Sequence, residues 1–243
     1  MEGRADMALY AIGDLHFSGE PPAKPMDVFG DHWQDHRAKV VQHWSETVQP
    51  DDWVVLCGDL SWGMRLSEAL PDLEAIAALP GHKVVVEGNH DYWWSSVKKM
   101  SEATGGAFQF LRNSFAAVGT AQGPVGLCGS RGWLLETCEN FDPDKDKKIL
   151  EHELLRVRAS LDAARAAGLT ELVLALHYPP FYQAGEASPF VDLIAEYGVR
   201  HCVFGHIHGE EGAETVFQGE RDGCLYQLVS CDTNDFTPVK VMD

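Results

Sequence analysis

Five short apolar runs in this chain end in the same way, and that repetition limits the fold more than any other feature. Val54-Val55-Leu56-Cys57 stops at Gly58-Asp59, and Leu9-Tyr10-Ala11-Ile12 stops at Gly13-Asp14-Leu15-His16. Val84-Val85-Val86 leads to Gly88-Asn89-His90-Asp91. Residues 172–176 lead to His177, and Cys202-Val203-Phe204 leads to Gly205-His206-Ile207-His208. Short runs rich in β-branched residues and bounded by turn residues read as buried strands. In open α/β sheets, ligands bind in the crevice outside the carboxyl ends of the strands. If these ends converge, Asp59 is placed to bridge two metal ions.

Helical spacing fills the gaps between the strands. Trp33, Val40, Val41, Trp44 and Val48 predict a helix over about 33–48. Ser67 is the expected cap of a second helix that ends at Pro80-Gly81, and a third follows Tyr92-Trp93-Trp94 as far as Glu102. Asp142-Pro143 starts a long helix with an apolar stripe, closed by Gly168, and another covers 190–197. Shorter strands are expected at 108–111, 115–118 and 125–129, and in the tail at 215–217, 224–230 and 239–241. Residues 17–31 form a long loop with Pro21, Pro22 and Pro25, and loops of that length are usually functional or mobile. The fold class is α/β (α+β). With no repeat, low-complexity stretch or linker, residues 1–243 are expected to form one domain.

The formal net charge of −18 argues against a polymeric nucleic acid partner, because such a surface repels phosphate backbones. No apolar stretch approaches the ~20 residues of a membrane helix. Residues 1–6 are polar and lead straight into the first strand, so no secretory leader is expected. The six cysteines form no C-x-x-C pair, and Cys57, Cys128 and Cys202 sit inside apolar runs. A reduced, cytoplasmic protein is expected.

A lone histidine is more often a hydrogen-bonded structural residue than a ligand. Here metal-ligand residue types recur at one position after successive strands. The ordered set Asp14-x-His16, Gly58-Asp59, Gly88-Asn89-His90-Asp91, His177 and Gly205-His206-x-His208 resembles the calcineurin-like metallophosphoesterase superfamily, its small prokaryote-type branch. The resemblance spans residues 8–208. It implies two stacked mixed β-sheets flanked by helices, a four-layer sandwich, with a two-metal site along one edge. It places Asp14, His16, Asp59 and His208 on one ion, and Asp59, Asn89, His177 and His206 on the other. His90 resembles the family's general acid, with Asp91 holding its imidazole; a helix cap is the plainer role for Asp91. Leu60-Ser61-Trp62 lacks the Arg of Ser/Thr protein phosphatases, and Asp91 stands where they carry Glu.

The residue types suit that chemistry in their own right. Carboxylate, imidazole and amide oxygen fit Mn, Fe, Zn, Ni or Co. Two such ions clamp an in-line displacement at phosphorus, with a bridging hydroxide as nucleophile. Trp62 and Tyr92 are candidate substrate contacts among the aromatics near the ligands, though packing is the plainer role for each. Arg131 is a candidate phosphate contact, with a surface role equally expected, and Lys24 is a candidate lid residue, with a solvated loop role the plainer one. The expected function is hydrolysis of a phosphate ester of a small molecule, phosphodiester slightly favoured over monoester. The alternatives are a non-catalytic metal-binding module on the same fold and a nuclease.

Overall fold

Alternate residues of the central strands face two different cores. The computed structural model describes residues 7–243; the expectation of no secretory leader concerns residues 1–6, which lie outside the described residues. One sheet has the order β11 (Val239–Met242), β1 (Leu9–Ile12), β2 (Trp53–Leu56), β3 (His82–Val85), β4 (Phe108–Phe110). All its neighbours are parallel except β11 and β1. The other has the order β5 (Phe115–Thr120), β6 (Gly123–Ser130), β7 (Leu172–Leu176), β8 (His201–Phe204), β10 (Cys224–Leu228), β9 (Gly219–Arg221). Its outer pairs, β5 with β6 and β9 with β10, are antiparallel, and the inner pairs are parallel.

Successive strand side chains point to opposite faces. Val55, Cys57, Val84 and Val86 of the first sheet therefore meet Val173, Ala175 and Val203 of the second in a core between the sheets. Val54, Leu56 and Val85 point the other way, onto Val40 and Trp44 of α1 (His36–Thr47) and Leu73 and Ile76 of α2 (Leu66–Ala77). Met100 of α3 (Val97–Ala103) joins that layer. On the far side, Leu174, Leu176 and Phe204 pack on Val157 and Leu161 of α4 (Pro143–Ala166) and on Phe190 and Ile194 of α5 (Pro189–Tyr197). The result is the four-layer order helix, sheet, sheet, helix. With both faces buried, β1, β2 and β7 carry apolar residues at every position rather than alternating with polar ones. Each such side chain contributes about 1.5–3 kcal/mol relative to exposure.

The sequence places most elements correctly, with local differences. Asp142 caps α4 as expected, its carboxylate accepting the Asp144 N–H at 3.1 Å. The first helix starts at His36 rather than Trp33, because Asp35 takes a left-handed φ of 54° and Trp33 sits in a separate 3-10 turn, Asp31–Trp33. Ser67 is not a cap; it lies within α2, after Arg65. The strand expected at 215–217 is absent, since those residues follow a short helix, α6 (Gly209–Glu214), and the strand comes later, at β9. No helix among the described residues is long and apolar enough to cross a membrane.

Candidate functional site

The carboxyl ends of β1, β2 and β3 in one sheet and of β7, β8 and β10 in the other meet along one edge. Gly13 and Ser230 form a bridge between the two sheets there. Four residues at this edge have left-handed backbones: Asp14 (φ 58°), His16 (47°), Asp59 (54°) and His206 (73°). Non-glycine residues rarely adopt that conformation, and it clusters at functional sites where surrounding contacts enforce it. The Asp14 N–H donates to the Gly58 carbonyl at 2.9 Å, and the His16 N–H to the Asp59 carbonyl at 2.9 Å. Two glycines give the carboxylates room. A Cβ on Gly88 would lie 2.1 Å from Asp59 Oδ1, and one on Gly205 would lie 2.4 Å from Asp14 Oδ2.

All seven residues expected as metal ligands reach this edge. Asp14, His16 and His208 bring one donor atom each within 4.8 Å of one another, and so do Asp14, Asp59 and His177. Asp59 Oδ2 lies 3.8 Å from His16 Nε2 and 3.6 Å from His177 Nε2, so one oxygen faces both groups. Asp59 Oδ1 is held separately by the His90 N–H at 2.7 Å. Asp14 is common to both triads, so a second carboxylate, besides Asp59, lies between them.

The His177 ring shows what the pocket needs. Its Nδ1 donates to the Cys57 carbonyl at 2.9 Å, which leaves a lone pair on Nε2. That nitrogen faces the Asn89 amide oxygen at 2.5 Å and His206 Nδ1 at 3.3 Å, and the same oxygen is 2.9 Å from His206 Nδ1. Acceptors gathered at such range suit a cation. Burial, with repulsion from neighbouring imidazoles, lowers His177 and His206 to about 3 and His16 well below its usual value. They are therefore neutral, the form that binds metal. Burial raises Asp14 to about 8 and Asp59 to about 6, which is the cost of keeping carboxylates here without positive charge. The donor set and its electrostatics fit divalent or transition-metal ions.

His208 differs from the other histidines. Burial would lower it, but its hydrogen bond to Asp232 and the charges of Asp14, Asp232 and Asp59 raise it to about 9. Asp232 Oδ1 is 3.0 Å from His208 Nδ1, and Oδ2 accepts the Gly209 N–H at 2.8 Å. Ser230 donates to Asp14 Oδ2 at 2.8 Å. Both lie just past β10, so the strand-end pattern read elsewhere in the sequence extends to Ser230-Cys231-Asp232, where sequence reading missed it.

His90 stands in the wall of the cleft, 4.7 Å from the Trp62 ring and 5.8 Å from His16, ring centre to ring centre. Asp91 does not hold it. Asp91 Oδ2 accepts the N–H groups of Asp59 (2.8 Å) and Gly88 (2.9 Å), and Oδ1 those of Leu60 (2.9 Å) and the Trp93 indole (2.9 Å). A carboxylate has about four acceptor positions, and these four donors fill them. His90 Nδ1 is buried without a partner. Nor does Asp91 cap a helix, since Ser96 caps α3. Its place is beneath the site, clamping the loops after β2 and β3 together.

Trp62 stacks on His16 at 4.8 Å, while Tyr92 is exposed and edge-on to His90 at 6.0 Å. Arg131 is engaged by carboxylates, Glu87 at 3.7 Å and Glu153 at 3.8 Å, with Trp133 beneath it, and its charge still acts on Asp59 and His177. Lys24 lies 4.6 Å over the Trp62 ring. A cavity of about 350 Å³ opens beside two of the ligands, His16 and His208, and is bounded also by His90, Met26, Trp33 and Trp62. Met26 shows that the proline-rich loop forms part of its wall.

The profile of the calcineurin-like phosphoesterase family matches residues 7–210. No curated protein sequence matches the chain. Among solved structures, TT1561 of Thermus thermophilus is similar with a TM-score of 0.58 at 11% identity, covering 98% of this chain and 99% of that one. Phosphopantetheinyl hydrolase PptH from Mycobacterium tuberculosis gives 0.56 at 17% identity, covering 93% and 89%. The calcineurin-like phosphoesterase YfkN from Bacillus subtilis gives 0.53 at 17%, covering 92% and 81%. At these identities the likeness is one of fold. The family profile spans most of the chain and strands of both sheets, β1 to β8, and with the Asp and His cluster at their shared edge it means that the chain belongs to the calcineurin-like phosphoesterase family and is a metal-dependent phosphoesterase.

Proposed function

We propose that this chain, acting as one domain in the cytoplasm, hydrolyses a phosphate ester of a small molecule, a phosphodiester slightly ahead of a monoester. In this reading Asp14, His16, Asp59 and His208 hold one ion, Asp59, Asn89, His177 and His206 the second, and His90 donates a proton. The observation that carries it is Asp59 Oδ2, which faces His16 and His177 at 3.8 and 3.6 Å. When bound, the pair of ions supplies positive charge for the phosphoryl oxygens and lowers the pKa of the attacking water. Mn, Fe, Zn, Ni and Co all suit the donors.

This chain's residues do the rest. Asp232 orients His208, and the Cys57 carbonyl fixes the His177 tautomer. His90 would protonate the departing oxygen, with its ring placed by Trp62 and by the hydrogen bond from its own N–H to Asp59. Among the described residues no lysine or arginine lines the 350 Å³ cavity. A diester phosphate carries one charge where a monoester carries up to two, so a cleft with few fixed cations favours the diester. The test is metal analysis together with a screen of phosphate mono- and diesters in added Mn. Two ions per chain and turnover of a small diester are expected. A chain that holds fewer than two ions, or that cleaves DNA or RNA faster than any small ester, overturns the reading.

A further inference from the structure

The walls of the cleft say what the rest of the substrate is made of. Trp33 is 2% exposed and Met26 5%, so both are fixed in place, and Trp62 completes an apolar surface beside the ligands. The Trp62 indole N–H points to the Met26 sulfur at 3.4 Å, which ties the proline-rich loop to this wall. Phe29, 66% exposed, stands at the opening. Among the described residues no lysine or arginine lines the cavity; its histidines are His16, His32, His90 and His208, and Lys24 lies outside the lining, 4.6 Å over the Trp62 ring.

The adjoining surface is acidic. A second depression shares His32, His208, Gly209 and Asp232 with the cavity. Glu210, Glu211, Glu214, Asp232 and Asp235 line it, against one lysine, Lys39. Lys39 Nζ donates to the His32 carbonyl at 2.6 Å and lies over the Phe236 ring. His32 is itself 3.9 Å from Asp232. An anionic group reaching out of the cleft on this side therefore meets carboxylates. Charge repulsion discriminates against such a partner as effectively as attraction selects another.

Resting on the phosphoesterase reading above, we propose that the substrate carries a single phosphorus and that its organic group is apolar, flat and free of further anionic groups. Nucleoside di- and triphosphates and carboxylated phosphoesters are disfavoured where they extend over this acidic side of the cleft. The metal centre is left to bind the one phosphate, and the Trp33, Met26 and Trp62 surface takes the remainder. Aromatic walls favour flat groups through contact area and edge or face geometry.

Matched p-nitrophenyl phosphodiesters test this, differing only in the second ester group: benzyl or 2-carboxyethyl. With Mn-loaded protein, kcat/KM is expected to be at least about tenfold higher for the benzyl ester, the scale on which apolar pockets discriminate. Glu210→Lys combined with Glu211→Lys should raise the carboxyethyl-to-benzyl ratio, since both residues are exposed on α6. A binding readout runs in parallel. Benzylphosphonate should quench tryptophan fluorescence at lower concentration than phosphonoacetate. Equal turnover of the two esters, or a ratio unmoved by the charge reversal, overturns the proposal and leaves the phosphoesterase reading intact. Failure to cleave either ester overturns the function reading, and the inference falls with it.

Discussion

Asp59 offers one oxygen to two groups of ligands, and that geometry sets what its replacement does. Asp59→Asn keeps the shape but substitutes a neutral amide, whose nitrogen end cannot accept, for a carboxylate. Metal content should fall at both positions and turnover should be lost, as checked by elemental analysis alongside activity. A variant with two ions and full activity would contradict the shared ligand. His90 supports a different outcome. It lies 5.8 Å from His16 in the wall of the cleft and is not needed as a ligand. His90→Ala should keep both ions. It should lose about 10²–10⁴-fold on alkyl esters, where the alkoxide needs a proton, and less on nitrophenyl esters, whose phenolate leaves unaided. The measurement is a leaving-group series with metal content determined in parallel. Equal loss across the series, with metals retained, would assign His90 to phosphate binding instead.

Strands and their ends were legible in the sequence because a buried strand announces itself by composition and its terminus by glycine. Gly88 and Gly205 precede Asn89 and His206 because a side chain at either would collide with a carboxylate, so the glycines mark close approaches as well as turns. What the sequence does not show is contact between loops. Asp91 follows His90 directly, and adjacency suggested that it served that imidazole. It reaches instead across 32 and 31 residues to the N–H groups of Asp59 and Leu60. Asp232 stayed hidden for the same reason, since its partner His208 is 24 residues away. The expected effect of Asp91→Asn changes accordingly. An amide nitrogen would confront backbone N–H donors, and a buried donor left unsatisfied costs about 1–3 kcal/mol. For a chain of this size each kcal/mol lowers Tm by about 2–4 °C. Thermal unfolding of the metal-free variant should show that loss. A variant with unchanged Tm and a selective loss on poor leaving groups would return Asp91 to the role of orienting His90.

Across the whole molecule, the proposed ligands follow strands of both sheets, so bound ions would tie the two sheets together at one edge. Removing them should cost stability, and the cost should depend on pH with a definite sign. In the metal-free protein Asp14 is raised to about 8 and Asp59 to about 6, above their ordinary values near 3.8. The folded state then holds protons that the unfolded chain releases. That contribution is complete below about pH 4 and is lost as pH rises through 6 to 8. His177 and His206, lowered to about 3, work in the opposite direction: their contribution is complete above about 6.5 and is lost as pH falls toward 3. From pH 6.5 to 8 the unfolded chain sheds the last of its His177 and His206 protons, a gain smaller than the loss from Asp14 and His208, which are raised to about 8 and about 9 and both lose their contribution as pH rises. The metal-free protein should therefore lose stability over this interval. Bound ions replace the proton on Asp14, so the loaded protein escapes that loss. The gap in Tm between loaded and chelated protein should widen from pH 6.5 to 8 and narrow toward pH 5, where protons compete for Asp14 and Asp59. Free metal at 100–1,000 times Kd stabilises by about 2.7–4.1 kcal/mol per ion, or roughly 5–15 °C. Self-repulsion from the net charge of −18 is shared by both forms and largely cancels in the difference. Calorimetric scans with and without chelator at three pH values measure the gap. A gap that is flat with pH, or largest at pH 5, would mean that Asp14 and Asp59 do not exchange protons for metal.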